Sequence, residues 1–88
     1  MSLIKDMRDY ILEKEFKIIY LNNKLDVVNY TNISHFDTNK IIINHSNGSI
    51  TISGNNLYIS KLLIDELLVE GSIEKIEFRW NYEFSRQI

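Results

Sequence analysis

The sequence contains no cysteine, no proline and only three glycines among its 88 residues. Without cysteine, the chain can form no disulfide framework, no cysteine-based metal site and no thiol nucleophile, and this composition suits a reducing compartment. The sequence also lacks a run of about 18 apolar residues that could cross a bilayer, and it lacks a basic segment followed by an apolar one and a small-residue cleavage site. We therefore expect a soluble, intracellular protein without direct membrane insertion.

An excess of charge of one sign is missing as well. The formal net charge is −2 at pH 7, whereas binding to nucleic acid or to an anionic membrane requires a basic face. We therefore expect no nucleic-acid partner. The length predicts a single domain, 1–88, whose core is near the size that yields only about 3–5 kcal/mol of net stability, so oligomerisation would help it.

The strongest local pattern is KIIINHSNGSITISG over residues 40–54, which predicts a β-hairpin. Its turn is predicted at Asn47-Gly48, because a type I′ turn needs positive φ at both central residues and Asn and Gly reach it most cheaply. This turn sets Ile43 opposite Ile52 and gives the hairpin one buried face and one mostly solvated face. The predicted core face carries Ile41, Ile43, Ile50 and Ile52. The predicted solvated face carries Ile42, Asn44, Ser46, Ser49, Thr51 and Ser53.

Shorter alternating runs separated by turn residues predict the rest of the sheet. Asn22-Asn23 is predicted to close a second hairpin, and Gly54 and Gly71 are predicted to mark further turns. The predicted short strands are 16–21, 25–30, 32–36, 57–59 and 67–70, with a polar turn at 37–39 and a tight helical or bulged turn at 60–64. The fold class is therefore mainly β, a small antiparallel β-sandwich or meander of about six to eight short strands with one N-terminal helix.

That helix is predicted over residues 2–14. Its apolar residues recur at helical spacing, and Ser2 can cap its first turn. Two interpretations stay open: the helix covers an end or edge of the sheet, or it is a detachable partner-binding segment, since about 13 residues cannot hold a helix alone. The apolar stripe consists of Leu3, Ile4, Met7, Tyr10 and Ile11.

The segment 75–84 alternates without a fault and predicts a ten-residue C-terminal strand. One face carries Ile76, Phe78, Trp80, Tyr82 and Phe84, and the other carries Lys75, Glu77, Arg79, Asn81 and Glu83. The predicted strand is longer than its neighbours, so we expect Trp80, Tyr82 and Phe84 to project beyond them as an interface. The alternative is that the chain curls back and these rings cap the core.

No pattern indicates catalysis, a cofactor or a metal site. The two histidines, His35 and His45, are predicted to lie about 13 Å apart along one hairpin, too far to share an ion whose ligands lie about 2 Å away. Turn and helix-start chemistry accounts for the two local polar pairs, and no nucleophile with its own base is visible. Those pairs are Asp37 with His35 and Asp65 with Glu66. A second function class stays open, a binding module for a small apolar ligand or glycan lined by Tyr20, Tyr30, Tyr58 and Trp80, which would require these rings to converge on a concavity.

The spacing of small and aliphatic residues resembles the YabP/YqfC family of sporulation proteins from endospore-forming bacteria, over roughly residues 16–78. The residues that carry the resemblance are Asp37, Gly48, Gly54, Leu57, Ile59, Gly71, Ile73, Ile76 and Phe78. The segments 2–14 and 79–88 lie outside it.

The resemblance implies a small β-rich protein without enzymatic activity, made in the mother cell and linked to spore coat or cortex assembly. The short length is similar to the YqfC type, which implies a membrane protein as a partner. We therefore expect a non-enzymatic sporulation protein that acts through protein–protein interaction. Its expected partners are a second copy of itself or another sporulation protein, and its expected location is the mother-cell cytoplasm, with the forespore surface as a further site.

Overall fold

The computed structural model of the protein describes residues 15–80. These residues form a single open sheet in which all neighbouring strands are antiparallel, in the order β1-β2-β6-β5-β4-β3. The strands are β1 (Lys17–Leu21), β2 (Lys24–Val28), β3 (Asn32–Phe36), β4 (Lys40–His45), β5 (Gly48–Leu62) and β6 (Glu66–Trp80). The mainly-β, antiparallel prediction with six strands is confirmed. The predicted helix over 2–14 lies outside the described residues.

The two longest strands differ most from the prediction. β5 and β6 each contain 15 residues, where the pattern predicted short strands interrupted by turns at Gly54 and at Gly71. The pairing of β5 with β6 instead continues past these positions, with register shifts between Ser53 and Gly54, between Asn55 and Tyr58 and between Ile59 and Lys61. Gly54 and Gly71, which were predicted to mark turns, therefore mark irregularities inside continuous strands.

This long hairpin doubles back on itself. The amide of Asn29 donates to the carbonyl of Asp65 at the β5–β6 turn (2.6 Å), and the amide of Thr31 donates to the carbonyl of Asn44 (2.8 Å). Asn44 pairs with Ser49, at the opposite end of β5. A straight strand over this length would hold the two ends about 40 Å apart, but residues 29 and 31 are at most about 7 Å apart. The hairpin must therefore bend in its middle.

The bend coincides with two of the three glycines. Gly71 has a φ of 128°, and a Cβ at this position would lie 2.5 Å from the carbonyl oxygen of Asn56. A Cβ on Gly54 would lie 1.9 Å from the carbonyl oxygen of Ser72. The prediction that Gly54 and Gly71 form turns is wrong, because both lie within strands, where the missing side chain lets the two backbones approach closely.

The bend places two layers around one core. The first layer contains β1, β2, the first half of β6 and the second half of β5, and the second layer contains the remaining halves with β4 and β3. Nine buried apolar residues from both layers form a single cluster. They are Leu25, Val27, Leu57, Leu67 and Val69, together with the predicted core residues Ile41, Ile43, Ile50 and Ile52. The predicted core face of the β4–β5 hairpin is confirmed.

The Asn22-Asn23 turn is confirmed. Both residues have positive φ, 51° and 64°, and Tyr20 pairs with Leu25 and Ile18 with Val27 as predicted. Positive φ at both central residues is what a type I′ turn requires, and asparagine tolerates it better than most residues do.

The predicted register of the β4–β5 hairpin is wrong. Gly48 pairs with His45, so the turn is Ser46-Asn47, and Ile43 lies opposite Ile50 instead of Ile52. The Asn47 amide donates to His45 Nδ1 (3.2 Å), and a Cβ on Gly48 would lie 2.0 Å from the Arg79 carbonyl oxygen. Gly48 is therefore needed inside β5, where β6 approaches closely. Each β4 residue thus pairs with the β5 residue two positions before the predicted one. Because side chains alternate between the faces of a strand, a shift of two leaves the same side chains facing the core.

Candidate interaction surface

One edge of β6 is free over most of its length. β2 covers this strand only from Glu66 to Glu70, whereas Gly71–Trp80 pairs with β5 on one side. On the other side, no strand within residues 15–80 pairs with Gly71–Trp80. This stretch, which we call the free edge, exposes backbone groups that can pair with an added strand.

The hydrogen bonding of the neighbouring strand shows which amides point outward. The Gly54 amide donates to the Asn39 carbonyl on the β4 side, and in an antiparallel ladder successive residues bond alternately to the two neighbours. The residues of β5 that bond to β6 are therefore Ser49, Thr51 and Ser53, whose partners are Arg79, Glu77 and Lys75. It follows that the amides of Ile76, Phe78 and Trp80 point away from β5, toward the free edge.

The side chains on the solvated face of this edge mix both signs of charge. Lys75 Nζ lies 3.5 Å from Glu77 Oε2, and Arg79 follows on the same face by alternation. All three residues are exposed. An added strand would therefore lie beside charges of alternating sign. These charges favour some registers of pairing over others, but they do not prevent pairing.

An aromatic cluster occupies the other face at the end of β6, and we define it as Phe16, His45, Phe78 and Trp80. The rings of Phe16 and His45 stack with centroids 3.9 Å apart, and the Trp80 ring meets His45 edge-on at 5.1 Å. Phe78 and Trp80 are parallel at 6.4 Å. Phe78 and Trp80 lie opposite Ile50 and Gly48, on the core side of the sheet, and yet they are 51% and 41% exposed. Residues 15–80 therefore leave the core open at this end.

His45 is the buried polar member of the cluster. Its exposed fraction is 6%, and burial lowers its pKa below the ordinary value of 6.5. Because Nδ1 accepts the Asn47 amide, the neutral ring carries its proton on Nε2. Within residues 15–80, that Nε2 group has no hydrogen-bond partner.

The other histidine lies elsewhere. His35 pairs with Ile42, on the opposite face of the sheet from His45, and not with Ile41 as predicted. Its Nε2 lies 2.8 Å from Asp37 Oδ2, and the other Asp37 oxygen accepts the amides of Asn39 and Lys40, both at 2.7 Å. The hydrogen bond from His35, followed by those from the two amides, lowers the pKa of Asp37. The prediction that this polar pair belongs to a turn is confirmed.

The remaining polar pair lies where the β5–β6 turn meets β6. Asp65 lies in the β5–β6 turn, and Glu66 begins β6 with an Oε2 3.8 Å from Lys61 Nζ. A hydrogen bond with the Asp26 carboxyl is the main cause of the raised pKa of Glu66. Among residues 15–80, no three histidine, aspartate or glutamate side chains are grouped closely enough to hold a metal ion.

The four rings proposed for a ligand site do not converge. Tyr20 donates to Asn23 Oδ1, Tyr30 to the Leu63 carbonyl and Tyr58 to Glu70, while Trp80 contacts His45. A groove of about 250 Å³ lies between β1 and the bend of β6. Its lining residues are Tyr20, Ile73, Glu74, Lys75 and Ile76. It therefore contains one of the four rings, and the others lie on separate parts of the sheet.

The sequence model of the YabP family matches residues 14–83, well over half of the chain. The chain belongs to the YabP family. This family is associated with sporulation. A comparison with curated proteins found no significant match. The match extends past Phe78, so Trp80, predicted to lie outside the family-like region, is part of the YabP-family segment, and so is Tyr82.

The residues that form the candidate surface of this YabP-family protein are not the same as those of the predicted interface. Trp80 is half-exposed, but it pairs with Gly48 of the equally long β5 and does not project beyond its neighbouring strand as predicted. Tyr82 and Phe84 lie outside the described residues. Phe78 was missed, although the alternation of β6 contained it. Phe16 and His45 were also missed, because their contact joins positions that local periodicity does not connect.

A second apolar group in this YabP-family protein lies at the tip of the β5–β6 hairpin. Leu62, Leu63 and Ile64 are 61%, 48% and 93% exposed. The predicted turn at 60–64 begins later than expected, because β5 continues to Leu62. Within the part of the chain that the structure describes, no helix is long and apolar enough to traverse a bilayer.

Proposed function

We propose that this protein acts without catalysis, as an interaction protein in spore coat or cortex assembly, and that it associates through the free edge of β6. The observation that carries the proposal is the edge of Gly71–Trp80 that faces away from β5, which no strand within residues 15–80 covers. Added strands bind such edges through main-chain hydrogen bonds, while side-chain anchors provide specificity. Membership of a sporulation-associated family supports the biological setting.

The partner that we propose first is a second copy of the chain. Pairing of two free edges about a twofold axis is self-complementary, and it enlarges a core that is near the size that yields only about 3–5 kcal/mol of net stability. The proposed location is the mother-cell cytoplasm, extending to the forespore surface. A second sporulation protein, including a membrane protein, would use the same edge once the twofold pairing is open.

The charges on β6 restrict the register of such a dimer. With the twofold axis at Phe78, Glu77 faces the partner's Arg79, and with the axis at Ile76, Lys75 faces the partner's Glu77. An axis at Glu77 would instead place Lys75 against the partner's Arg79. Opposite charges directly across two strands stabilise the pair and like charges destabilise it, so we expect one of the first two registers.

Light scattering over a concentration series tests this proposal on the full chain. The wild-type protein is expected to run as a dimer, and Glu77→Lys is expected to shift it toward monomer, because both allowed registers then oppose like charges. Adding Arg79→Glu to that variant restores the dimer if the axis lies at Phe78, and adding Lys75→Glu restores it if the axis lies at Ile76.

Glu15→Lys is the matched control, since it makes the same charge change at an exposed residue outside the strands. This control should leave the dimer intact. A wild-type chain that stays monomeric at every concentration, or a dimer that Glu77→Lys leaves unchanged, would overturn the assignment of β6 as the self-association edge.

A further inference from the structure

The open end of the core needs a cover that residues 15–80 do not supply. Phe78 and Trp80 face the core side of the sheet and are 51% and 41% exposed. Beside them, His45 Nε2 is buried and has no partner among these residues. A buried donor without an acceptor has lost its hydrogen bond to water and gained none in return, which destabilises the fold. The aromatic cluster therefore indicates both missing apolar contact and a missing hydrogen-bond acceptor.

The chain before β1 reaches this cluster. The Phe16 ring already stacks on His45, and the Glu15 carbonyl is held by the Asn29 side-chain amide at 2.6 Å. Glu15, to which residues 1–14 are joined, therefore lies next to the aromatic cluster. Residues 1–14 carry a stripe of five apolar side chains and, on the other positions, mostly charged ones. A helix of 13 residues is about 20 Å long, which is sufficient to cover the exposed rings.

We propose that residues 2–14 of the same chain pack over the aromatic cluster, with the apolar stripe against Phe78 and Trp80 and an acceptor of this segment bonded to His45 Nε2–H. This chooses the covering interpretation of the amphipathic segment and places it at one end of the sheet. The C-terminal residues 81–88 are the weaker candidate, because β5 begins at Gly48, opposite Trp80, so a continuing β6 has no neighbour beyond this point. The cover lies on the face of the sheet, whereas the proposed dimer uses its edge.

Trp80 is the single tryptophan of the chain, so its fluorescence reports on the cluster directly. If residues 2–14 cover it, acrylamide should quench the Trp80 fluorescence of the full wild-type chain much less than expected for a tryptophan that is 41% exposed. Protection should already be present at concentrations at which light scattering shows a monomer, because the proposed dimer also places a partner strand beside Trp80. This measurement needs no variant, so it does not depend on whether a substituted chain folds.

Two stripe variants identify the covering segment. Met7→Ser and Ile11→Ser are expected to shift the Trp80 emission to longer wavelength and to increase quenching, while the far-UV circular dichroism of the sheet is retained. Asp9→Ser, on the polar side of the same segment, is the matched control and should change neither. Quenching is compared at a concentration where the chain is monomeric, so its failure and that of the dimer are distinguishable.

Three outcomes would overturn the proposal. Quenching of the wild-type chain at the level set by 41% exposure would show that nothing covers Trp80. Protection that is absent from the monomer and appears only as the dimer forms would assign the cover to a second copy. Protection lost on Tyr82→Ser or Phe84→Ser, but kept in Met7→Ser and Ile11→Ser, would assign it to the C-terminal residues.

Discussion

At the scale of single residues, the two histidines have opposite surroundings. His45 is 6% exposed between two aromatic rings, whereas His35 is exposed and lies beside the Asp37 carboxylate. Burial without an acidic partner disfavours the imidazolium, so the pKa of His45 is lowered from 6.5. The chain therefore contains one histidine whose protonation opposes folding and a second that serves as a control for it.

The first prediction concerns stability as a function of pH. Between the lowered folded pKa of His45 and the unfolded value of 6.5, the unfolded chain binds more protons than the folded one, so the free energy of unfolding decreases as the pH falls through this window. Above pH 6.5 the contribution is fully present. His45→Gln removes the decrease, and His35→Gln keeps it. Urea denaturation between pH 7.5 and pH 5 measures the slope, and a His45→Gln protein with the wild-type slope would contradict the assignment.

At the scale of the elements, the bend of the β5–β6 hairpin depends on backbones that approach each other closely. Gly71 combines a φ of 128° with an approach that leaves no room for a Cβ beside the Asn56 carbonyl. Asn56 itself has a φ of 55°. Within residues 15–80, only β5 and β6 belong to both layers. Strain at Gly71 therefore affects the two strands that connect the layers.

The second prediction is that Gly71→Val destabilises the fold. A non-glycine residue in this region of φ costs about 1–3 kcal/mol, and a β-branched side chain adds the steric conflict with Asn56. Ser72→Val is the matched control, because the next residue is exposed and valine favours strands. Thermal and urea unfolding measure both variants. Equal stability of Gly71→Val and Ser72→Val would show that the bend tolerates a side chain.

At the scale of the whole molecule, the two layers share one core. The nine buried residues come from both layers and form one cluster, and residues 29 and 31 join opposite ends of the folded hairpin through backbone hydrogen bonds. A domain built in this way is expected to unfold in a single cooperative transition.

The third prediction tests this cooperativity. Val69→Ala deletes two buried methyl groups in the first layer, which is expected to cost about 2 kcal/mol. The Trp80 fluorescence, which reports on the second layer, and the far-UV circular dichroism should move together to lower urea concentration. Ile64→Ala, at a residue 93% exposed, is the control, with an expected change within about 0.5 kcal/mol. A Trp80 transition that stays in place while the dichroism shifts would show that the layers unfold separately.

The sequence pattern predicted correctly those features that depend only on residues close together in the chain. The Asn22-Asn23 hairpin was predicted with its register, since its turn and its pairs lie within a few residues of one another. The β4–β5 register was wrong by one residue on each strand, because Gly48 is needed for an approach to Arg79 that comes from the far end of the chain. Glycine at a turn and glycine at a close backbone approach are the same letter in the sequence. Only the partner strand distinguishes them.

The candidate surface was predicted in part for the same reason. Alternation of apolar residues identified Trp80 and the strand that carries it. The free edge depends on where β2 stops along β6, and the burial of His45 depends on Phe16, which reaches it through the bend. Neither relation leaves a periodic signal in the sequence.

The strand order also affects how the chain folds as it is synthesised. β2 is completed at Val28, but its partner, the Glu66–Glu70 segment of β6, belongs to the last strand of the sheet. On the ribosome, the β1–β2 hairpin therefore waits with Leu25 and Val27 unburied until nearly the whole sheet has been translated. At about 5–20 residues per second this interval lasts several seconds, and during it the apolar face of β2 is available to a chaperone or to another nascent chain.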